Sequence, residues 1–173
     1  MKKVGIMSMQ RIANYGSFLQ AYALKQLIEE LGHKVEFVDY HVGAPVIAEN
    51  ADSKNKFVRK LEKGLETFRY QAPPSHKFSF IRYKQSFAKK YMPLLGITDE
   101  MNYNPTLDSL VIGSDEVFNC IQKNSNVGYS TELLGKDNHA DRVITYAASF
   151  GNTTLEKLEK YQKANEIGNL LKK

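Results

Sequence analysis

A single cysteine, Cys120, occurs in 173 residues. No intrachain disulfide can form, and a chain that must fold without one suits the reducing cytoplasm. Long apolar runs are also missing. The opening MKKVGIMSMQR has the charged start of a signal peptide, but Ser8, Gln10 and Arg11 interrupt its apolar stretch. No window reaches the length of a membrane span. Internal repeats and low-complexity tracts are absent. The four histidines, His33, His41, His76 and His139, lack metal-ligand spacing, so no metal is expected. Cys120 has no local base to activate it and reads as a small buried apolar residue. What is present is a globular composition, 42% apolar and 25% charged, enough for one domain with a real core or part of a larger one.

The net charge of +5 is regional. Residues 54–91 hold 11 Lys and Arg against Glu62 and Glu66, whereas the rest of the chain has 13 basic against 17 acidic side chains. The basic excess falls on two helix-like stretches. KFVRKLEKGLETF puts Phe57, Leu61, Leu65 and Phe68 on one face; HKFSFIRYKQSFAKKYM repeats the theme with Phe80, Tyr83, Phe87 and Tyr91 until Pro93 stops it. Aromatics interleaved with Lys and Arg can mark a nucleic-acid or anionic-polymer surface. The helical period favours apolar faces backed by solvated charge, which makes that the weaker reading.

Around this segment the chain alternates strand and helix. KKVGIMS is a short strand-type run. Leu24, Leu27, Ile28 and Leu31 keep the spacing of one helical face, and Gly32 falls where a left-handed cap belongs. KVEFVDY (34–40) is the second strand, so the first forty residues form a βαβ unit with parallel strands. LDSLVIGSDEVFN supplies a buried strand from Leu110 to Ile112, and RVITYAASFG a fourth. LEKLEKYQKANEIGNLLKK reads as one helix with Leu155, Leu158, Tyr161, Ala164, Ile167 and Leu171 on a stripe. The fold class is α/β: a Rossmann-like, mainly parallel sheet with flanking helices over 1–154, a basic helical insertion at 54–91, and a C-terminal helix over 155–173.

The unusual residues follow the strands. Asn14-Tyr15-Gly16, Tyr40-His41, Gly113-Ser114-Asp115-Glu116 and Ala148-Ser149-Phe150-Gly151 each come just after a predicted strand. In an open parallel sheet those points share one edge, where ligands bind. Gly16 can let a ligand approach the backbone at a helix start, with Asn14 and Gln20 bonding sugar or phosphate oxygens. Equally, Asn14 can be a plain N-cap and Gly16 a turn residue. The stretch lacks G-x-G-x-x-G, and Asp39 does not make it a dinucleotide site. GSDEVFN puts a hydroxyl and a carboxylate at a strand end, with Asn119 four residues on. Asp115 can act as a base toward an acceptor hydroxyl, or Ser114 and Asp115 can cap the next turn. The small residues of AASFG suit close packing.

Together, NYGSFLQAYALKQLIEELGHKVEFVDY, LVIGSDEVFN and VITYAASFG resemble the polysaccharide pyruvyl transferase family in order and spacing, across essentially the whole chain. Glu116 and Phe118 stand where the family pattern has Gln and Trp. The resemblance implies a two-domain enzyme of glycosyltransferase-B-like build, acting in exopolysaccharide biosynthesis. Such an enzyme moves pyruvyl from phosphoenolpyruvate, the donor substrate, onto hydroxyls of a glycan or lipid-linked sugar as a ketal, without a further cofactor. It also implies that the donor-binding basic residues lie in a second domain absent here, toward which 155–173 leads. The resulting expectation is an acceptor-side half, inactive alone. In it Asp115 is catalytic, and Asn14, Tyr15, Gly16, Gln20, Gly113, Ser114, Glu116, Asn119 and Ser149 touch substrate. The alternative is a non-catalytic sugar- or nucleotide-binding module. The C-terminal stripe is a candidate for pairing two copies of the chain.

Overall fold

The computed structural model describes residues 1–47, 74–123 and 127–172. The first of the two predicted basic helices, over 57–68, lies outside them.

Strand β1 (Lys3–Met7) is buried from Val4 onward, and β3 (Ser109–Asp115) is buried along its middle. Strands enclosed on both faces need apolar side chains on both, which explains runs such as LVI rather than alternation. With β2 (Lys34–Phe37) and β4 (Val143–Ala148) they form a four-stranded sheet in the order β2-β1-β3-β4. Every pairing is parallel, with Val4 beside Val35 and Ser109, and Val111 beside Ile144. The fold is therefore α/β and Rossmann-like, as expected. Boundaries differ slightly: β2 stops at Phe37, and β3 runs on to Asp115.

Neighbouring residues on one strand serve two cores. Val4, Ile6, Phe37 and Val111 pack with Phe18, Ala21 and Leu24 of helix α1 (Tyr15–Glu30) and with Phe87 and Leu95 of α2 (Pro74–Leu95). Met7, Val38, Leu110 and Ile112 face the other way, onto Leu133 and Leu134 of a 3-10 turn (Thr131–Leu134) and onto the C-terminal helices. The central strands β1 and β3 are thus covered from both sides, whereas β4 is exposed along most of its length, and the windings diverge between β1 and β3. Gly32 ends α1 at φ 82, in the left-handed conformation its spacing implied.

Two expected boundaries are corrected. Pro93 does not stop α2, which continues to Leu95. A proline in the final turn removes one N–H, but Gly96 N and Ile97 N still bond Pro93 O and Met92 O, and burial of Leu95 and Ile97 anchors the turn. The single helix over 155–173 is two, α3 (Leu155–Lys160) and α4 (Ala164–Leu171), with Gln162 between them at φ 56. Repeated steps of three drift by about 60° each on a helix of 3.6 residues per turn, so Leu158 and Ile167 would point about 180° apart on a straight one. The break lets both enter the same core, at 7% and 1% exposure. The stripe proposed for pairing two copies is therefore largely turned inward, leaving Leu155 and Leu171 exposed.

On α2 the charged side chains Arg82, Lys84, Lys89 and Lys90 are exposed, while Tyr83, Phe87 and Tyr91 pack against α1. That is the solvated-charge arrangement the helical period favoured. Among the described residues no helix is long and apolar enough to cross a membrane.

Candidate functional site

The carboxyl ends of β1 and β3 lie where successive connections leave the sheet in opposite directions, the place at which open α/β sheets take ligands. Asn14 opens α1. Its Oδ1 accepts from Gly16 N at 2.7 Å and from Ser17 N at 3.2 Å, while its carbonyl accepts from Phe18 N. The capping reading of Asn14 is realised, and these first-turn amides are bonded within the chain. Gly16 is exposed, and a Cβ there would meet nothing nearer than Asn14 Oδ1 at 3.1 Å. Tyr15 turns to α2, with its ring 5.2 Å from Phe87 and 5.4 Å from Tyr91. Hydrogen bonding with Tyr91, then burial, raises its phenol above the ordinary range. Gln20 lies exposed one turn further along α1.

β3 brings Gly113-Ser114-Asp115 to the same point. Gly113 sits at φ 125, and any Cβ would collide with the carbonyl oxygen of Tyr146 on β4. Only glycine fits that approach. Ser114 is 5% exposed; its carbonyl accepts from Ser8 Oγ at 3.0 Å, whereas its own hydroxyl is buried without a protein partner. A buried hydroxyl left so is costly unless a water or ligand satisfies it.

Asp115 has φ 82, and both of its carboxylate oxygens accept hydrogen bonds from within the chain. Oδ1 accepts from Glu116 N at 2.9 Å, capping the following turn. Oδ2 accepts from Ser17 Oγ at 2.5 Å, directly over the first turn of α1. Gly16 and Asp115 thus share one edge of the sheet, joined through Ser17, a residue of the candidate site that the sequence reading missed. Its position one residue beyond the glycine was the available signal.

Glu116, Asn119 and Ser149 are brought together beside this pair, in a mainly structural web. Ser149 N donates to Asp115 O, and Phe118 N to Ser149 O, both at 3.0 Å. Asn119 is 5% exposed; its Nδ2 donates to Glu116 Oε2, and its Oδ1 accepts from Ile121 N and Thr153 Oγ1. Phe118 is buried against Phe150. A Cβ on Gly151 would strike Glu116 Oε2, which accounts for a small residue in AASFG.

Arg11, beyond β1, is committed elsewhere. Its Nε and one terminal nitrogen grip both oxygens of Asp39 at 2.6 Å, and its remaining donors reach the carbonyls of Thr98 and Glu100. The Asp39 hydrogen bond raises the guanidinium above its ordinary range, against the lowering by burial. Asp39, 5% exposed, also accepts from Gln10 Nε2 and Asn102 N. It is the closed centre of a loop-fastening network rather than a ribose-binding acid. Tyr40 beside it donates to Val127 O, and burial pushes its phenol well up. Among the described residues no three His, Cys, Asp or Glu side chains converge as a metal site.

The edge thus brings hydroxyls, a carboxylate and the exposed Gly16 together at the switch point of the parallel α/β sheet. The family model for polysaccharide pyruvyl transferase matches residues 14–170, and the chain belongs to that family. Comparison with curated proteins and with solved structures gave no match.

Proposed function

We propose that this chain provides the acceptor-side wall of a pyruvyl-transfer site and does not complete the reaction alone. In the full reaction two sugar oxygens bond to C2 of phosphoenolpyruvate and phosphate leaves. One hydroxyl proton ends on the methylene carbon and the other departs with phosphate. Asp115 receives or orients an acceptor hydroxyl, Ser17 holds its carboxylate in place, and Gly16 leaves room for the sugar. On this reading a second domain completes a glycosyltransferase-B-like cleft, and the work is cytoplasmic building of an exopolysaccharide from a glycan or lipid-linked precursor.

The observation that carries the reading is the charge of the edge. Asp115 stands over the start of α1, while Arg11 is consumed by Asp39 and two carbonyls. Phosphoenolpyruvate is nearly a trianion at neutral pH and needs several converging cations. A carboxylate with hydroxyls suits a neutral sugar instead.

The test is incubation of the chain with phosphoenolpyruvate and a range of glycans, following phosphate release by 31P NMR and the ketal methyl by 1H NMR. The expected result is no ketal and no saturable donor binding at micromolar concentration. Ketal made by residues 1–173 alone would overturn the half-site reading.

A further inference from the structure

Beyond Asp115, we propose that His41 and Tyr103 form a separate carbohydrate subsite, which takes the apolar face of a pyranose ring further along the acceptor. The proposal rests on the acceptor-side reading above. His41 follows β2, and Tyr103 is fixed beside Asp39 by a parallel bridge. Their rings are stacked, with centroids 4.2 Å apart and planes 11° from parallel. Glu132 secures the imidazole from its edge: Oε1 lies 2.9 Å from Nδ1, and Oε2 accepts from His41 N at 2.5 Å. Ser130 Oγ donates to that same Oε2.

A ring held on one face and one edge would ordinarily be buried, yet the His41 side chain is 67% exposed. Since Tyr103 covers one face and Glu132 the Nδ1 edge, the exposed parts are the opposite face and the Nε2 edge. Val42, next to His41, and Met101, two residues before Tyr103, are also 44% and 43% exposed. A flat, preoriented platform with an apolar rim and one ring nitrogen at its border matches a pyranose, whose C–H groups form a flat face and whose hydroxyls project around it. Such a platform is already ordered before the ligand arrives, so binding freezes little. It is a poor match for phosphate: Glu132 is a carboxylate, and Arg11 is already committed.

Position supplies the link to the site. His41 follows Phe37 by four residues as Asp115 follows Val111, both of those being level with Ile6, and β2 and β3 flank β1, so they lie about 10 Å apart at ordinary strand spacing. That is beyond one sugar ring and within reach of a disaccharide whose other ring presents a hydroxyl to Asp115. The inference therefore predicts discrimination by length.

The experiment titrates the chain with cellobiose and lactose, and with glucose and galactose for comparison, reading dissociation constants from NMR chemical shifts. The disaccharides should bind more tightly than the monosaccharides. His41→Ala should weaken disaccharide binding about threefold to tenfold, the range of one aromatic contact. His41→Phe keeps a ring and the backbone bond to Glu132 but loses the Nδ1 contact, so it should retain disaccharide affinity within about twofold by the same contact argument. Thermal melts separate a purely structural clasp, which both substitutions would damage alike. Equal loss of affinity in both variants would overturn the proposal. So would equal affinity for one and two rings, no binding of any of these sugars, or uridine displacing the disaccharide. None of those outcomes bears on whether ketal forms, by which the acceptor-side reading itself is judged.

Discussion

Ser17 Oγ donates to Asp115 Oδ2 at 2.5 Å, across 98 residues of sequence. This bond joins the first turn of α1 to the end of β3, and so couples the two stretches that looked least like ordinary packing. In ketal-forming preparations that contain this chain, Asp115→Asn should lower turnover by about 100-fold, a typical general-base contribution, with acceptor KM little changed. The amide oxygen can keep the bond from Glu116 N while its nitrogen donates to Ser17 Oγ, so the fold should survive. Steady-state kinetics check this; wild-type turnover would show Asp115 to be structural.

The two glycines of the site should behave differently. Gly113→Ala puts a Cβ into the Tyr146 carbonyl at a backbone angle that alanine rarely adopts, and should cost more than about 2 kcal/mol or prevent folding. Gly16→Val lies at an exposed position, so its thermal melt should change little while acceptor binding weakens. A large loss of melting temperature with unchanged acceptor affinity would mean that Gly16 only shapes the turn.

Arg11→Leu should destabilise the chain by about 3–5 kcal/mol, because it strands the buried Asp39 carboxylate without its ion pair. Arg11→Lys should recover only part of this, since an ammonium cannot reproduce the two-pronged grip. The double replacement with Asp39→Leu should be less harmful than Arg11→Leu alone. Urea unfolding at constant pH measures all three.

Cys120 is fully buried, and desolvation raises its thiol from 9.0 to about 11. It should resist alkylation at pH 8 until the chain unfolds. The folded state keeps this proton after the unfolded chain has released it. Stability from this group is complete below pH 9 and is lost as pH rises toward 11, with a limiting slope of about 1.4 kcal/mol per pH unit. Burial raises Tyr40 in the same direction. Cys120→Ala should flatten the thiol's share of the slope, measured by chemical denaturation between pH 8 and 11.

The alternation of apolar strand runs with one amphipathic helix was enough to imply a parallel α/β sheet. Parallel strands need crossovers, and the carboxyl ends of such strands share an edge. From that alone Asn14, Gly16, Ser114 and Asp115 could be brought to one crevice, and Gly32 could be read as a cap. These are consequences of chain period and connectivity, which a sequence carries directly.

What only the tertiary structure decided is how each polar side chain is spent. Asn14, Asp39 and Asn119 have residue types that equally suit a ligand or the chain's own backbone. Asn14 is spent locally, accepting from Ser17 N three residues on, whereas Asp39 and Asn119 bond Arg11 and Thr153, partners that sequence spacing does not reveal. The break at Gln162 escaped for a related reason. Steps of three look like one stripe on paper, and only the position of the core shows that Leu158 and Ile167 must be turned to meet it. Period is local and can be read along a chain, whereas hydrogen-bond satisfaction and core geometry are settled between elements far apart in sequence.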